Sequence, residues 1–135
     1  MIPLADIRAA RERIAGAALR TPLVRLNVED APADIYLKLE CLQPIGSFKI
    51  RGASNRMALA TSDELARGVW TASAGNMAQG VAWNARRLGV RCTVVVPLGA
   101  PATKMTAATM SSVETAKYAR SRASTLNRRR SRSSS

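Results

Sequence analysis

Histidine is absent from this chain of 135 residues, and cysteine occurs only twice. Without His there is no Ser-His or Cys-His nucleophile pair. Metal sites built from Cys and His are excluded as well, so no metal is expected. Cys41 and Cys92 are expected to be buried, reduced thiols, which is where free cysteine usually lies. Any catalysis must therefore come from Lys, Ser, Thr, Tyr, a carboxylate or a bound cofactor.

Long apolar runs and aromatic residues are also scarce. No run approaches the roughly 20 residues that cross a bilayer, and the N-terminus carries charges where a signal peptide would be apolar. A cytoplasmic protein with no membrane partner is therefore expected. The chain has two Trp, two Tyr and one Phe, but its hydrophobic content of 47% is sufficient for one modest aliphatic core.

Acidic residues are few, and the net charge of +12 is distributed unevenly. Residues 1–105 hold 14 Lys and Arg against 8 Asp and Glu, whereas residues 106–135 hold seven basic residues against Glu114 alone. The second segment also has eight Ser and no Gly or Pro. Such a composition cannot bury much apolar surface. We predict that ordered structure ends near Met105 and that 106–135 is a disordered or out-of-frame basic tail.

Helical and strand patterns alternate along the first segment. Helices are predicted at 6–18, 48–60 and 76–88, the last ended by Gly89. Extended segments are predicted at 23–26, 35–40, 68–72 and 91–97, with 35–40 alternating like a half-buried strand. This order indicates an α/β fold with a parallel sheet, specifically a three-layer fragment with one exposed sheet edge. An exposed edge predicts poor solubility.

A lysine follows a Pro/Gly turn within residues 46–53, which read GSFKIRGA. Lys49 falls in the first turn of a predicted helix, where the helix dipole disfavours the ammonium form and welcomes phosphate. A larger fraction of free amine is what a Schiff-base nucleophile needs. Taken alone, however, the segment is more typical of a solvated surface lysine.

A second segment runs from a strand through small residues into a helix: Ser73, Ala74, Gly75 and Asn76. Backbone N–H groups at such a helix start bind anions such as carboxylate. The alternative is an ordinary strand-to-helix turn in which Ser73 or Asn76 caps the helix.

Together the two segments resemble the fold-type II pyridoxal-phosphate enzymes, in particular the threonine/serine dehydratases (threonine ammonia-lyases) and serine racemases. Residues 46–53 resemble the cofactor-lysine motif, and 73–76 followed by 78–80 resemble the loop that binds the substrate carboxylate. The segments 20–23 and 94–104 resemble further landmarks of the family, in the family's order. Residues 1–105 are thereby identified as the N-terminal part of such a catalytic domain.

The resemblance implies a role for each matching residue. Lys49 would bind pyridoxal 5′-phosphate and later move the α-proton of the amino-acid substrate, and Phe48 would pack beside the cofactor. Asn76 would hydrogen-bond the ring hydroxyl, and the loop from Ser73 to Asn76 would hold the carboxylate. The implied reaction is the dehydration and deamination of threonine or serine to a 2-oxo acid and ammonia, in an enzyme that is usually homo-oligomeric.

Several residues depart from the family pattern. Racemases typically have a second serine where Ala74 stands, so Ala74 favours a dehydratase over a racemase. Met77 and Cys41 replace a common His and a common Asn. The glycine-rich phosphate-binding loop of the family is missing, since no Gly follows Gly99, and this predicts a truncated chain with weak or no activity.

Two other functions are considered. The basic tail could attract nucleic acid or another anionic surface, although it lacks interleaved aromatic residues and any binding motif, so no specific nucleic-acid partner is expected. The chain could also be a regulatory or complementing fragment that pairs with a separate second half.

Overall fold

The computed structural model describes residues 1–97 and the backbone of one further strand at 113–118. The helices are α1 (Leu4–Arg13), α2 (Lys49–Ala58), α3 (Ser62–Ala66) and α4 (Asn76–Leu88), with a 3-10 helix at Glu40–Leu42. The strands are β1 (Leu23–Arg25), β2 (Tyr36–Lys38), β3 (Val69–Ala72), β4 (Cys92–Pro97) and β5 (Val113–Tyr118). The predicted α/β fold is confirmed.

The described strands form two separate sheets. β3, β4 and β5 pair in that order, and both pairs are parallel, in agreement with the predicted parallel sheet, although β5 was not among the predicted strands. β1 and β2 form an antiparallel pair, with Val24 opposite Leu37, which the sequence did not predict. Every residue of β2 is exposed, so the predicted half-buried strand is wrong. Leu37, the middle residue of the strand, is 40% exposed, so the alternation of apolar and polar residues does not mark a buried face here.

The core lies where α4 covers the parallel sheet. In β4 the side chains of Cys92, Val94 and Val96 are at most 2% exposed and alternate with less buried residues, because successive side chains of a strand point to opposite faces. Alanines on one face of α4 meet them: Ala78, Ala82 and Ala85. α2 packs against α4, and α1 packs against α2. From the parallel sheet outward, the order of packed helices is therefore α4, α2 and α1.

Predicted helix boundaries need small corrections. α1 begins at Leu4, directly after Pro3, and ends at Arg13 rather than at residue 18, because Gly16 adopts a left-handed conformation with φ +79°. α4 spans the predicted range and ends at Gly89, whose φ of +67° is the left-handed C-cap that glycine favours. α2 is shorter than predicted by a residue or two at each end.

α3 was not predicted, although the sequence carries a signal for it. Thr61 and Glu64 form a capping box, in which the Thr61 hydroxyl accepts a hydrogen bond from the Glu64 N–H and the Glu64 carboxylate accepts one from the Thr61 N–H. This pair starts a short helix that leads into β3.

The predicted end of ordered structure at Met105 stays a prediction. β5 lies beyond that residue and pairs with β4 over Val113–Tyr118. The rest of the 106–135 segment lies outside the described residues, as do Ala100, Pro101 and Lys104, which contributed to the resemblance.

Candidate cofactor and substrate site

Lys49 is the first residue of α2 and follows a tight turn. Gly46 occupies the turn with φ +65°, a conformation that residues with a side chain rarely adopt. The buried hydroxyl of Ser47 then accepts a hydrogen bond from the Lys49 N–H at 3.3 Å. The turn and this hydrogen bond fix the backbone of Lys49 at the start of the helix, where the sequence analysis placed it.

The Lys49 side chain is only partly buried and lies over an aromatic ring. Its Nζ is 4.5 Å from the centroid of the Phe48 ring, and Phe48 is 55% exposed. The amine is therefore held beside a flat apolar surface and is not enclosed by the described residues.

The second predicted segment forms the start of α4. Gly75 is the N-cap residue, and no side chain caps the helix. The Ser73 hydroxyl accepts a 3.2 Å hydrogen bond from the Gly75 N–H, and the Ser73 N–H donates to the Val95 carbonyl of β4. Asn76 begins the helix and is exposed, so the alternative in which Ser73 or Asn76 caps α4 is wrong. The first N–H groups of α4 are thus left for another acceptor.

α2 and α4 meet close to both segments. A Cβ placed on Gly80, in the second turn of α4, would lie 3.3 Å from Ala53 Cβ and 3.4 Å from the Lys49 carbonyl oxygen. The absence of a side chain at Gly80 therefore allows α4 to approach the first turn of α2. Further along, Ser54 donates a buried 3.0 Å hydrogen bond to Asn84 Oδ1.

The structure thus places Phe48 and Lys49 at the start of α2, and Ser73, Ala74, Gly75 and Asn76 at the start of α4. The two helices are in direct contact one turn beyond Asn76. The individual roles given to these residues remain predictions.

A polar network behind Lys49 was not predicted from the sequence. The Arg51 guanidinium donates to both oxygens of the Glu40 carboxylate, with Nε–Oε2 2.8 Å and Nη2–Oε1 2.7 Å. Thr21 Oγ1 donates to the same carboxylate at 2.5 Å, and Gln43 Nε2 donates at 3.2 Å. Lys38 Nζ donates to the Thr21 carbonyl oxygen. The only signal in the sequence was that Glu40 and Arg51 flank the turn that carries the lysine.

This network perturbs the titration of Glu40. Hydrogen bonds from Arg51, above all, and then from Thr21 and Gln43 lower the pKa of Glu40 to about 2, against an opposing effect of partial burial. The Glu40 side chain is 18% exposed. Its carboxylate is therefore ionised throughout the physiological range.

The cysteines differ from each other. Cys92 is fully buried, as expected, and burial raises the pKa of its thiol. Cys41 is exposed in the 3-10 helix, so the prediction of a second buried thiol is wrong. The 3-10 helix lies at the surface, and its first residue, Glu40, turns toward Arg51.

An apolar cleft of about 390 Å³ lies between α2, α3, β3 and the start of α4. Its walls include Met57, Leu65, Trp70 and Met77. Neither Lys49 nor the loop from Ser73 to Asn76 lines it, so this cleft is separate from the predicted site. Within residues 1–97 and 113–118, no helix is long and apolar enough to span a membrane.

The residues present fit a pyridoxal-phosphate group. A primary amine stands beside the exposed face of Phe48, and the uncapped start of α4 offers N–H donors with no acidic residue in its first turn. An amine, an aromatic surface and an anion site are the groups that an aldehyde-bearing aromatic cofactor and an amino-acid carboxylate require.

Comparison with known proteins defines the class to which this site belongs. Residues 14–132 match the model of the family described as "Pyridoxal-phosphate dependent enzyme". The chain therefore belongs to that family. The match also extends beyond Met105, where the sequence resemblance ended.

Three individual proteins illustrate the similarity. The chain is 47% identical over 108 residues to the L-threonine ammonia-lyase of Thermotoga maritima, a match that covers 78% of this chain and 27% of that enzyme. The structure resembles maize serine racemase, with a TM-score of 0.80 and 35% identity over 87% of this chain and 36% of that one. It also resembles threonine deaminase isoform 2 from Solanum lycopersicum, with a TM-score of 0.73 and 31% identity over 87% and 34% of the two chains. The chain thus spans about a third of the length of these relatives.

Proposed function

We propose that this chain is the N-terminal part of a pyridoxal-phosphate-dependent ammonia-lyase that acts on threonine or serine. The observation that carries the proposal is the contact between α2, which begins at Lys49, and α4, which begins at the uncapped Ser73–Asn76 loop. The relatives named threonine ammonia-lyase and threonine deaminase support the same activity.

In this proposal each residue has one task. Pyridoxal 5′-phosphate, when bound, supplies the electron sink that makes the α-proton of an amino acid acidic. The Lys49 amine holds the cofactor and then takes the α-proton of the substrate. The N–H groups of the Ser73–Asn76 loop bind the substrate carboxylate. Phe48 packs beside the cofactor ring, and the Asn76 amide donates a hydrogen bond to the ring hydroxyl oxygen.

Ala74 favours the lyase over a racemase. A two-base racemase needs a proton donor on the face of the substrate opposite the lysine. A methyl side chain at position 74 can neither give nor accept a proton, so α-protons would be handled from the Lys49 face alone. The structural likeness to maize serine racemase supports the shared fold and leaves this argument unchanged.

We further infer that the cofactor phosphate is held by residues outside this chain, because no Gly follows Gly99 to form a glycine-rich loop. The chain alone would then bind the cofactor weakly and show little or no activity. The complete enzyme is proposed to be a cytoplasmic homo-oligomer. Nucleic-acid binding through the basic tail is not proposed, because the tail lacks interleaved aromatic residues and any recognisable binding motif.

The test is an absorbance spectrum of the full chain mixed with pyridoxal phosphate. We expect a new band near the edge of the visible range in the wild type and in a Lys104→Ala control, and its loss in Lys49→Ala. The Lys104 control measures non-specific reaction of lysine amines. Identical spectra for the wild type and Lys49→Ala would refute the proposed role of Lys49.

A further inference from the structure

The Glu40 carboxylate joins two separate parts of the chain to α2. Arg51 binds it with two parallel hydrogen bonds and also donates to the Leu19 carbonyl at 3.0 Å. Gln43 exchanges two 2.9 Å hydrogen bonds with the backbone of Leu19. Thr21 and Gln43 are each 4% exposed. Hydrogen bonds thus link residues 19–21 and residues 40–43 to the guanidinium group of Arg51.

That guanidinium belongs to the first turn of the helix that carries Lys49. Arg51 is two residues beyond Lys49. On the opposite side, the Lys49 carbonyl oxygen lies 3.4 Å from the Cβ position of Gly80 in α4. The first turn of α2 is therefore held between the polar network and α4, whereas the Lys49 side chain itself is only partly buried.

We propose that Glu40 and Arg51 are positioning residues, which fix the first turn of α2 so that the Lys49 amine meets a cofactor aldehyde in a productive orientation. The inference rests on the proposed function of Lys49. It goes further because it assigns the placement of the amine to side chains that touch neither cofactor nor substrate. A misplacement of a reacting group by about 1 Å can cost on the order of a hundredfold in rate.

The geometry of the pair distinguishes it from an ordinary surface ion pair. The Glu40 and Arg51 side chains are 18% and 33% exposed, and two further side chains complete the carboxylate's hydrogen bonds. Arg25 and Asp34 form a comparable pair with an Nη2–Oδ1 distance of 2.6 Å, but those side chains are 61% and 65% exposed. Exposed pairs contribute little to stability, so Arg25–Asp34 provides a matched control.

The experiment compares the labelling of the four lysines of this chain: Lys38, Lys49, Lys104 and Lys117. Pyridoxal phosphate is added, so that a lysine nitrogen bonds to the aldehyde carbon and water leaves. Borohydride then delivers hydride to the carbon–nitrogen double bond, and peptide mass spectrometry measures the label at each lysine. The readout is the ratio of label on Lys49 to the mean label on Lys104 and Lys117, because Lys38 itself belongs to the network.

We expect Glu40→Gln to lower this ratio about tenfold. Arg51→Gln removes the guanidinium fork without adding an amine that could be labelled, so a loss of similar size is expected. Thr21→Val removes one hydrogen bond to the carboxylate and should give the smallest loss. Arg25→Gln and Asp34→Asn should leave the ratio unchanged. Circular dichroism of each variant gives the folded fraction during labelling.

The outcomes separate the two proposals. A wild type that shows no preference for Lys49 refutes the proposed function and removes the basis of this inference. A wild-type preference that survives in Glu40→Gln and Arg51→Gln overturns the positioning role alone. A loss of preference that merely follows the loss of folded protein across the variants also overturns it, because the network would then be structural only.

Discussion

Ser54 donates a 3.0 Å hydrogen bond to Asn84 in the buried interface between α2 and α4. Asn84 is fully buried, and its Nδ2 donates to the Gly80 carbonyl at 2.8 Å. Both polar ends of this amide are therefore satisfied. The hydrogen bond fixes how the two helices that carry the candidate site are placed against each other.

Replacement of Ser54 by Ala should destabilise the fold. The Asn84 oxygen would lose its partner in a buried position, which costs about 1–3 kcal/mol. Chemical denaturation monitored by circular dichroism measures the change. Ser62→Ala, at an exposed position in α3, is the control and should change the free energy of unfolding by less than about 0.5 kcal/mol. Equal effects of the two substitutions would contradict the assigned role of the Ser54 hydroxyl.

A side chain at Gly80 should force α2 and α4 apart. Gly80→Leu introduces bulk where a Cβ would already be 3.3 Å from Ala53 Cβ, and overpacking of this kind costs about 1–3 kcal/mol. Gly52→Leu is the matched control, because a Cβ there meets nothing within 4 Å. Because leucine has a higher helix propensity than glycine, Gly52→Leu should leave the free energy of unfolding unchanged or slightly higher. Thermal melting of both variants is the measurement; a stable Gly80→Leu would show that the helix contact is not tight.

Protonation of Glu40 at low pH should lower the free energy of unfolding of the chain. The folded-state pKa of Glu40 is about 2, below its ordinary value of 4.5. A depressed pKa contributes stability above the unfolded value, and that contribution is lost as the pH falls from 4.5 toward 2. The loss should be on the order of 2 kcal/mol, since the carboxylate keeps some contact with solvent.

Glu40→Gln isolates this contribution, because the amide does not titrate. The wild type should lose stability more steeply than Glu40→Gln between pH 4.5 and 2, and the two should run in parallel above about pH 5. Urea titrations at a series of pH values provide the data. Parallel curves across the acid range would mean that Glu40 is not held by Arg51 in solution.

The two thiols should react at very different rates. Cys41 is exposed, whereas Cys92 is fully buried with its thiol pKa raised by burial. A thiol reagent such as dithionitrobenzoate attacks the thiolate, so Cys41 should react promptly and Cys92 only when the core opens. In a Cys41→Ser variant the remaining reaction should follow the unfolding of the sheet. Prompt reaction of both thiols in the native chain would place Cys92 outside the core.

Exposed apolar side chains should limit solubility. Trp70 is 75% exposed on β3, which is an edge strand of the described sheet. Trp70→Glu should increase the yield of soluble monomer, measured by sedimentation. Leu59→Glu makes the same change of charge at a 55% exposed position outside the strands and should help less. A wild-type chain that sediments as a monomer and melts cooperatively would contradict this expectation.

Local sequence patterns predicted β3, α4 and β4 of the parallel sheet well, but not β5. β4 alternates buried and less buried residues from Cys92 onward, and Gly89 ends α4 where a left-handed residue is required. The spacing of apolar residues and the choice of glycine at a helix end are local properties, so they can be recognised in a single sequence. The pairing of β1 with β2 was not predicted, because register between separate segments depends on packing that no short pattern records.

The candidate site was only partly predictable. The segments around Lys49 and Asn76 were found because together they resemble motifs of a known family, whereas neither segment is specific when taken alone. The Glu40–Arg51 pair was not found, because a charged residue that ends an alternating strand gives no indication of what it contacts. No sequence pattern marks Asn84, whereas its burial and its hydrogen bond with Ser54 show that it joins two helices.

The two tryptophans lie in contrasting surroundings and give the chain two separable optical reporters. Trp70 faces solvent on β3, whereas Trp83 is partly buried on α4 with the Arg87 guanidinium carbon 5.8 Å from its ring centroid. Iodide should therefore quench the red-shifted emission of Trp70 first and leave a bluer component from Trp83. Structural changes at the sheet edge and along α4 could then be followed separately, by emission wavelength, in a single unlabelled sample.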